Sequence, residues 1–267
     1  MIQKILLCAA FAVAVLTSPS QAQLPGGRIA YVSLVANPNS GMQFGSICVM
    51  DLDGENKVAL AQAKFDLGGG DGVWPLFPIA WSPDGTRLAY QSGNNIYAVG
   101  VAGGVPVNLT NIGPKEAAEV RHPAWSPDGT HIAFTSIKLT AMGKLLTDIY
   151  VMNADGSNPV DLMEQQPEAA NSIDQFPAWS PDGHQIAFRS NRAGGKIFNI
   201  FAMNADGTDP VQLTHETTND CGSVAWSPDG RRIAFDVALK GDKPRLACRG
   251  RCHGPRRREP GAGEREG

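Results

Sequence analysis

Apolar residues in this chain gather in short runs bounded by turn-forming residues. Between Phe176 and Thr214 the runs are FPAWS, QIAFRS, NIFAMN and VQLT. Ser180-Pro181-Asp182-Gly183 separates the first two. Proline there presets φ for the first central position of a type I turn, aspartate suits the second, and glycine accepts the positive φ that closes a bulged hairpin loop. Asn204-Ala205-Asp206-Gly207 supplies a second turn of the same kind. The stretch therefore predicts a four-stranded antiparallel meander of roughly 40 residues, the size of one propeller blade.

The unit recurs. AWSPDG begins at Ala80, Ala124, Ala178 and Ala225, in steps of 44, 54 and 47 residues, followed in turn by RLAY, HIAF, QIAF and RIAF. The later half returns as DIYVMNADGSNPVDL from Asp148 and, degraded, as ICVMDLDG from Ile47. These steps match a four-stranded blade, so the expected fold is all-β, a β-propeller of four-stranded antiparallel blades. Residues 28–66 supply three strands, three full blades follow, and two strands come after Val224. That is about 4.5 blades.

The repeat AWSPDG…IAF…MNADG…LT, over residues 28–239, resembles that of TolB-type propellers, the periplasmic component of the Tol–Pal system and its relatives. Similar blades occur in the propeller halves of prolyl oligopeptidase-type and tricorn-type peptidases. The resemblance implies six blades, and hence an incomplete ring here. It also implies a non-catalytic protein- or ligand-binding module at the cell envelope, with a Pal-like lipoprotein as a partner. Because the repeat begins directly after the apolar N-terminal run, no separate N-terminal domain of the TolB kind is expected before the blades. The alternative is the propeller half of a peptidase whose catalytic domain lies downstream.

Lys4, the apolar run Ile5–Leu16 and the small residues Ser20 and Ala22 predict a signal peptide over 1–22, removed on export to the periplasm or medium. Cys8 follows Leu7, where a lipobox would place a small residue. From Arg245 onward the composition changes. Seven of the fourteen arginines fall in the segment 245–267, which has no Ile, Val, Phe, Tyr or Trp. Such text cannot bury enough apolar surface to fold, and it reads as a disordered, frame-shifted or truncated end.

The net charge of −3 hides a contrast, because between signal and tail 23 acidic residues face 15 basic ones. A body near −8 argues against nucleic acid as its partner. Cys48 and Cys221 could form a disulfide only if the first and last blades meet. Cys248, Cys252 and His253 lack a fourth ligand for a metal site.

The chain contains no Gly-x-Ser-x-Gly elbow, no His-Glu-x-x-His and no phosphate-cradling glycine loop, so neither a catalytic residue nor a cofactor is expected. Trp81, Trp125, Trp179 and Trp226 recur at one place in the unit and are expected to pack between blades. Asp84, Asp128, Asp182 and Asp229 are expected to hydrogen-bond the turn backbone. His131 and His184, just past those turns, are expected to face solvent without acting as ligands. The segments entering each first strand vary, and in a propeller that strand lines the central channel. Glu119, Arg121, His122, Asp174, Gln175 and Asp220 are the candidate ligand-binding residues of a channel mouth, suited to a cation or a basic peptide.

Overall fold

The computed structural model describes residues 27–35, 42–66, 79–113, 118–140, 142–164, 166, 171–238 and 252–253. The expected signal peptide, Cys8 and Cys248 lie outside these residues. The described chain forms five antiparallel sheets. The first has β1 (Arg28–Val35), β2 (Met42–Asp51) and β3 (Val58–Asp66). The second is β4 (Ile79–Trp81), β5 (Arg87–Ser92), β6 (Asn95–Gly100) and β7 (Val107–Asn108). The third is β8 (Ala118–Trp125), β9 (His131–Leu139), β10 (Leu145–Asn153) and β11 (Val160–Asp161). The fourth is β12 (Asp174–Trp179), β13 (Gln185–Ser190), β14 (Asn199–Asn204) and β15 (Val211–Gln212). The fifth pairs β16 (Asp220–Trp226) with β17 (Arg232–Ala238), and β17 in turn pairs with β18 (Cys252–His253).

Each sheet is a blade in which sequence neighbours pair, and the expected meander is what forms. The Ser-Pro-Asp-Gly turn is built identically four times. In the second blade the Ser82 N–H donates to Arg87 O and the Gly85 N–H to Ser82 O, both at 2.9 Å. Asp84 Oδ1 accepts from the Thr86 N–H at 3.0 Å and from Ser82 Oγ. Asp128, Asp182 and Asp229 repeat this arrangement, so the turn aspartates are backbone clasps as expected.

First strands touch from blade to blade (β4 with β8, β8 with β12, β12 with β16), which places them on the inside. The second and third strands of a blade pack on the first strand of the next. The apolar core is therefore divided among the gaps between sheets. Ala89, Ile96 and Leu109 of the second blade meet Val120, Trp125, Ile132 and Met152 of the third. Ile149 and Leu162 then meet Ile186, Phe188 and Met203, and Ile200 meets Ile233 and Phe235. Burying each such side chain stabilises the chain by roughly 1.5–3 kcal/mol. The repeated tryptophans bridge these gaps, with Trp179 Nε1 donating to Ala124 O at 3.2 Å and Trp226 Nε1 to Ala178 O at 3.1 Å.

Cys48 and Cys221 are each buried in their own sheet and are not bonded to one another, Cys221 Sγ lying 3.5 Å from Thr214 Oγ1. The first blade also departs from the unit. Its last strand, β3, is nine residues long where other blades end in a two-residue strand, and it packs on β5 and β6 of the next blade. Ala63 joins Val32, Ile47 and Val49 against Leu88 and Tyr90 there, which gives the longer strand an apolar surface to cover.

Candidate functional site on the inner strands

The six candidate residues lie on β8, β12 and β16, at the strand ends remote from the Ser-Pro-Asp-Gly turns. Each of these strands carries a β-bulge, with register breaks between Arg121 and Ala124, Gln175 and Ala178, and Cys221 and Val224. His122 and Phe176 occupy the first two bulges with φ of 55° and 58°. Positive φ is costly for a residue with a ring, so packing has to hold both in place. Their rings stack at 3.8 Å, and Thr135 Oγ1 meets His122 Nδ1 at 3.1 Å and accepts from the Phe176 N–H at 3.3 Å. The bulges thus turn side chains of adjacent blades toward one another.

The charged residues are tied pairwise. Glu119 holds Arg121 through two bonds of 2.7 and 2.8 Å and accepts from Gln91 Nε2 of the preceding blade at 2.9 Å. Gln175 Oε1 accepts from Arg189 Nε and Nη2, and that guanidinium lies over the rings of Phe176 and Phe198 at 4.9 and 4.3 Å. Asp220 Oδ1 accepts from the Phe198 N–H at 3.0 Å, joining the fourth and fifth blades.

Two of the residues expected at a channel mouth, Asp174 and His122, are enclosed. Asp174 is fully buried, paired with Arg192 at 3.1 Å and accepting from Ser172 Oγ at 2.6 Å, because Arg192 folds over Phe188 and Phe201 to reach it. His122 is buried as well, and desolvation, aided by Arg121 and Arg189, pushes its pKa down to about 3. A neutral imidazole there accepts or donates one hydrogen bond and carries no charge. Among the described residues, no three His, Cys, Asp or Glu side chains are grouped so as to hold a metal ion. The partly exposed residues of the row are Glu119, Arg121, Gln175 and Asp220.

Reading the strands singly misses the second-strand half of the row. The residue after the IAF or LAY triplet is Gln91, Thr135, Arg189 or Asp236 in successive blades. Gln91, Thr135 and Arg189 bond to the first strand of their own or the next blade, and Asp236 Oδ1 accepts from the Ser223 N–H at 2.6 Å. The available signal was variation at one register position of an otherwise repeated strand.

Comparison with known proteins agrees with this architecture. A family profile described as the TolB beta propeller domain matches residues 22–236. The Tol-Pal system protein TolB of Bordetella pertussis is 33% identical over 166 residues, covering 60% of this chain and 32% of that protein. The chain thus spans about a third of the length of the curated relatives it matches. The crystal structure of TolB from Acinetobacter baumannii superposes with a TM-score of 0.57 at 24% identity, covering 83% of this chain and 50% of that one. A putative TolB from Agrobacterium tumefaciens gives 0.53 at 22% identity, covering 80% and 71%. With the profile running through all five sheets, this chain belongs to the TolB beta propeller family.

Proposed function

We propose that this chain is a binding module of the cell envelope, periplasmic or secreted, that engages a protein partner and catalyses no reaction. The observation that carries the reading is the polar row of the inner strands. Its polar groups are spent on one another, in the ion pairs Glu119–Arg121 and Asp174–Arg192 and in the hydrogen bonds from Arg189 to Gln175, and its one imidazole is held neutral. A row of that kind presents rigid, directional hydrogen-bonding groups. Thr135, whose hydroxyl meets the His122 imidazole, is fully buried, so that pair is closed to a substrate. The kinship with Tol-Pal system proteins supports an envelope partner, for which a Pal-like lipoprotein is the first choice.

Titration calorimetry of the full chain with a purified Pal-like lipoprotein ectodomain tests this. Binding should weaken at least tenfold in a Glu119→Gln, Arg121→Ala double variant whose melting temperature is close to that of the parent. Unaltered affinity in that variant would remove the row from the interface. Stoichiometric fluorophosphonate labelling of one serine would show an enzyme instead.

A further inference from the structure

The hairpin joining the second and third strands of the third blade is longer than its counterparts on either side. β9 and β10 have nine residues each, against six for β5, β6, β13 and β14. The pairs Ile137–Thr147, Lys138–Leu146 and Leu139–Leu145 are the addition. At about 3.4 Å per residue they carry the tip roughly 10 Å further out. The added sequence, IKLTAMGKLL from Ile137, is largely apolar. Leu139, Met142 and Leu145 are 50%, 93% and 57% exposed. One exposed leucine needs no explanation, whereas three large apolar side chains on one projecting tip mark a contact surface.

The tip is held in shape. The Thr140 N–H donates to Lys144 O at 2.8 Å, the Gly143 N–H to Thr140 O at 2.9 Å and the Lys144 N–H to Thr140 Oγ1 at 3.0 Å. Gly143 supplies the positive φ, 75°, at this reversal. Lys138 Nζ donates to the Tyr150 hydroxyl at 2.6 Å and lies over that ring, and Lys144 Nζ donates to Asn171 Oδ1 at 2.6 Å. Thr147 forms a parallel bridge with Ile173, the residue before Asp174. A fixed tip loses little conformational entropy when it is bound. It also stands at the end of the blades that bears the polar row. Glu119, which holds Arg121, pairs across β8 and β9 with Ile137, two residues before Leu139. The apolar tip and the polar row therefore adjoin.

We infer that this tip is an apolar anchor, which seats Leu139, Met142 and Leu145 in an apolar pocket of the protein partner that engages the polar row. The inference rests on the binding role proposed for that row, and it adds the water-excluding contact that polar groups alone do not supply. Methionine suits such a position because its unbranched, polarisable side chain adapts to the pocket it enters. A lipid surface is the poorer occupant. Between signal and tail 23 acidic residues face 15 basic ones, a balance that anionic headgroups repel. The adjoining row of directional hydrogen-bonding groups matches a protein surface instead.

The test is calorimetric titration with the Pal-like lipoprotein ectodomain, run on full chains carrying Met142→Asp or Met142→Leu at several temperatures. Met142 lies in water, so both variants should melt with the parent. Met142→Asp should cut the affinity roughly tenfold or more, whereas Met142→Leu should stay within about twofold of the parent. The negative heat-capacity change of binding should shrink in Met142→Asp, because less apolar surface is then buried. Unaltered affinity in Met142→Asp, while the Glu119→Gln, Arg121→Ala double variant still binds more weakly, overturns this inference and leaves the proposed function standing. Absence of binding by the parent chain overturns both. Vesicles of phosphatidylcholine and phosphatidylglycerol are the control. Sedimentation of the parent chain with them, but not of Met142→Asp, would assign the tip to a lipid surface and overturn the inference equally.

Discussion

Asp174 and Glu119 both enter inner strands, yet their surroundings assign them different energies. Asp174 and its partner Arg192 are shut off from water. Asp174→Asn leaves a buried guanidinium half-paired and should cost about 3–5 kcal/mol in urea unfolding. Arg121, the partner of Glu119, is 42% exposed, so Glu119→Gln should cost under about 1 kcal/mol after solvent screening. Two further side chains set opposed pH dependences. The folded pKa of His122 falls from 6.5 to about 3, so between those values only the unfolded chain takes up that proton. Its contribution to stability is complete above pH 6.5 and is lost as pH falls toward 3. Burial, helped by Asp161 and Asp174, raises Asp148 from 3.8 to about 6, so its contribution is present below 3.8 and lost as pH rises through 6. In unfolding measured from pH 3 to 8, His122→Phe should flatten the acid limb. Asp148→Asn should stabilise the chain at pH 7 by about 1 kcal/mol, allowing for screening of a partly exposed group.

At the scale of elements, the turns matter as much for where they dock as for reversing the chain. Gly156 and Gly207 close the third-to-fourth-strand turns with φ of 90° and 89°. A Cβ on Gly156 would meet Leu109 O of the previous blade, and one on Gly207 would lie 2.7 Å from Leu162 O. These turns therefore seat against the end of the preceding blade. Gly54, in the degraded copy of the turn, has φ of 84° and open space around it. Gly54→Ala should cost about 1 kcal/mol of backbone strain alone, and Gly156→Ala about 3 kcal/mol or more because the docked carbonyl must also move. Thermal unfolding of the two variants separates strain from docking. Equal losses would mean that the close approach is relieved without cost.

For the whole molecule, stability resides in the gaps between sheets, so each blade depends on its neighbours, as in other repeat proteins. The middle strands of the blades carry fully buried side chains, such as Ile132 of β9, Ile186 and Phe188 of β13 and Ile200 and Met203 of β14, whereas β7, β11 and β15 are two residues long with an exposed valine in each. Native-state hydrogen exchange should show the amides of β9, β13 and β14 opening only in the deepest events and those of β7, β11 and β15 exchanging early. Uniform protection across all four strands of a blade would contradict this division.

Strand order, blade size and turn chemistry were legible in the sequence because they depend on contacts within about 40 residues. A Pro-Asp-Gly turn or a short apolar strand carries its instruction locally, and repetition made that instruction plain. The role of the turn aspartates was legible for the same reason, and that of the tryptophans through repetition alone, since their contacts reach the preceding blade. Whether Asp174 lies in water or under Arg192 depends on a loop from another strand, and whether His122 is charged depends on Phe176, 54 residues away. The bulges lie in the pairing of first and second strands within each sheet, but the angle at which adjacent sheets meet, which brings these groups together, is encoded by no single strand. Sequence determined the blades, and packing between blades decided which polar groups are spent and which remain open to a partner.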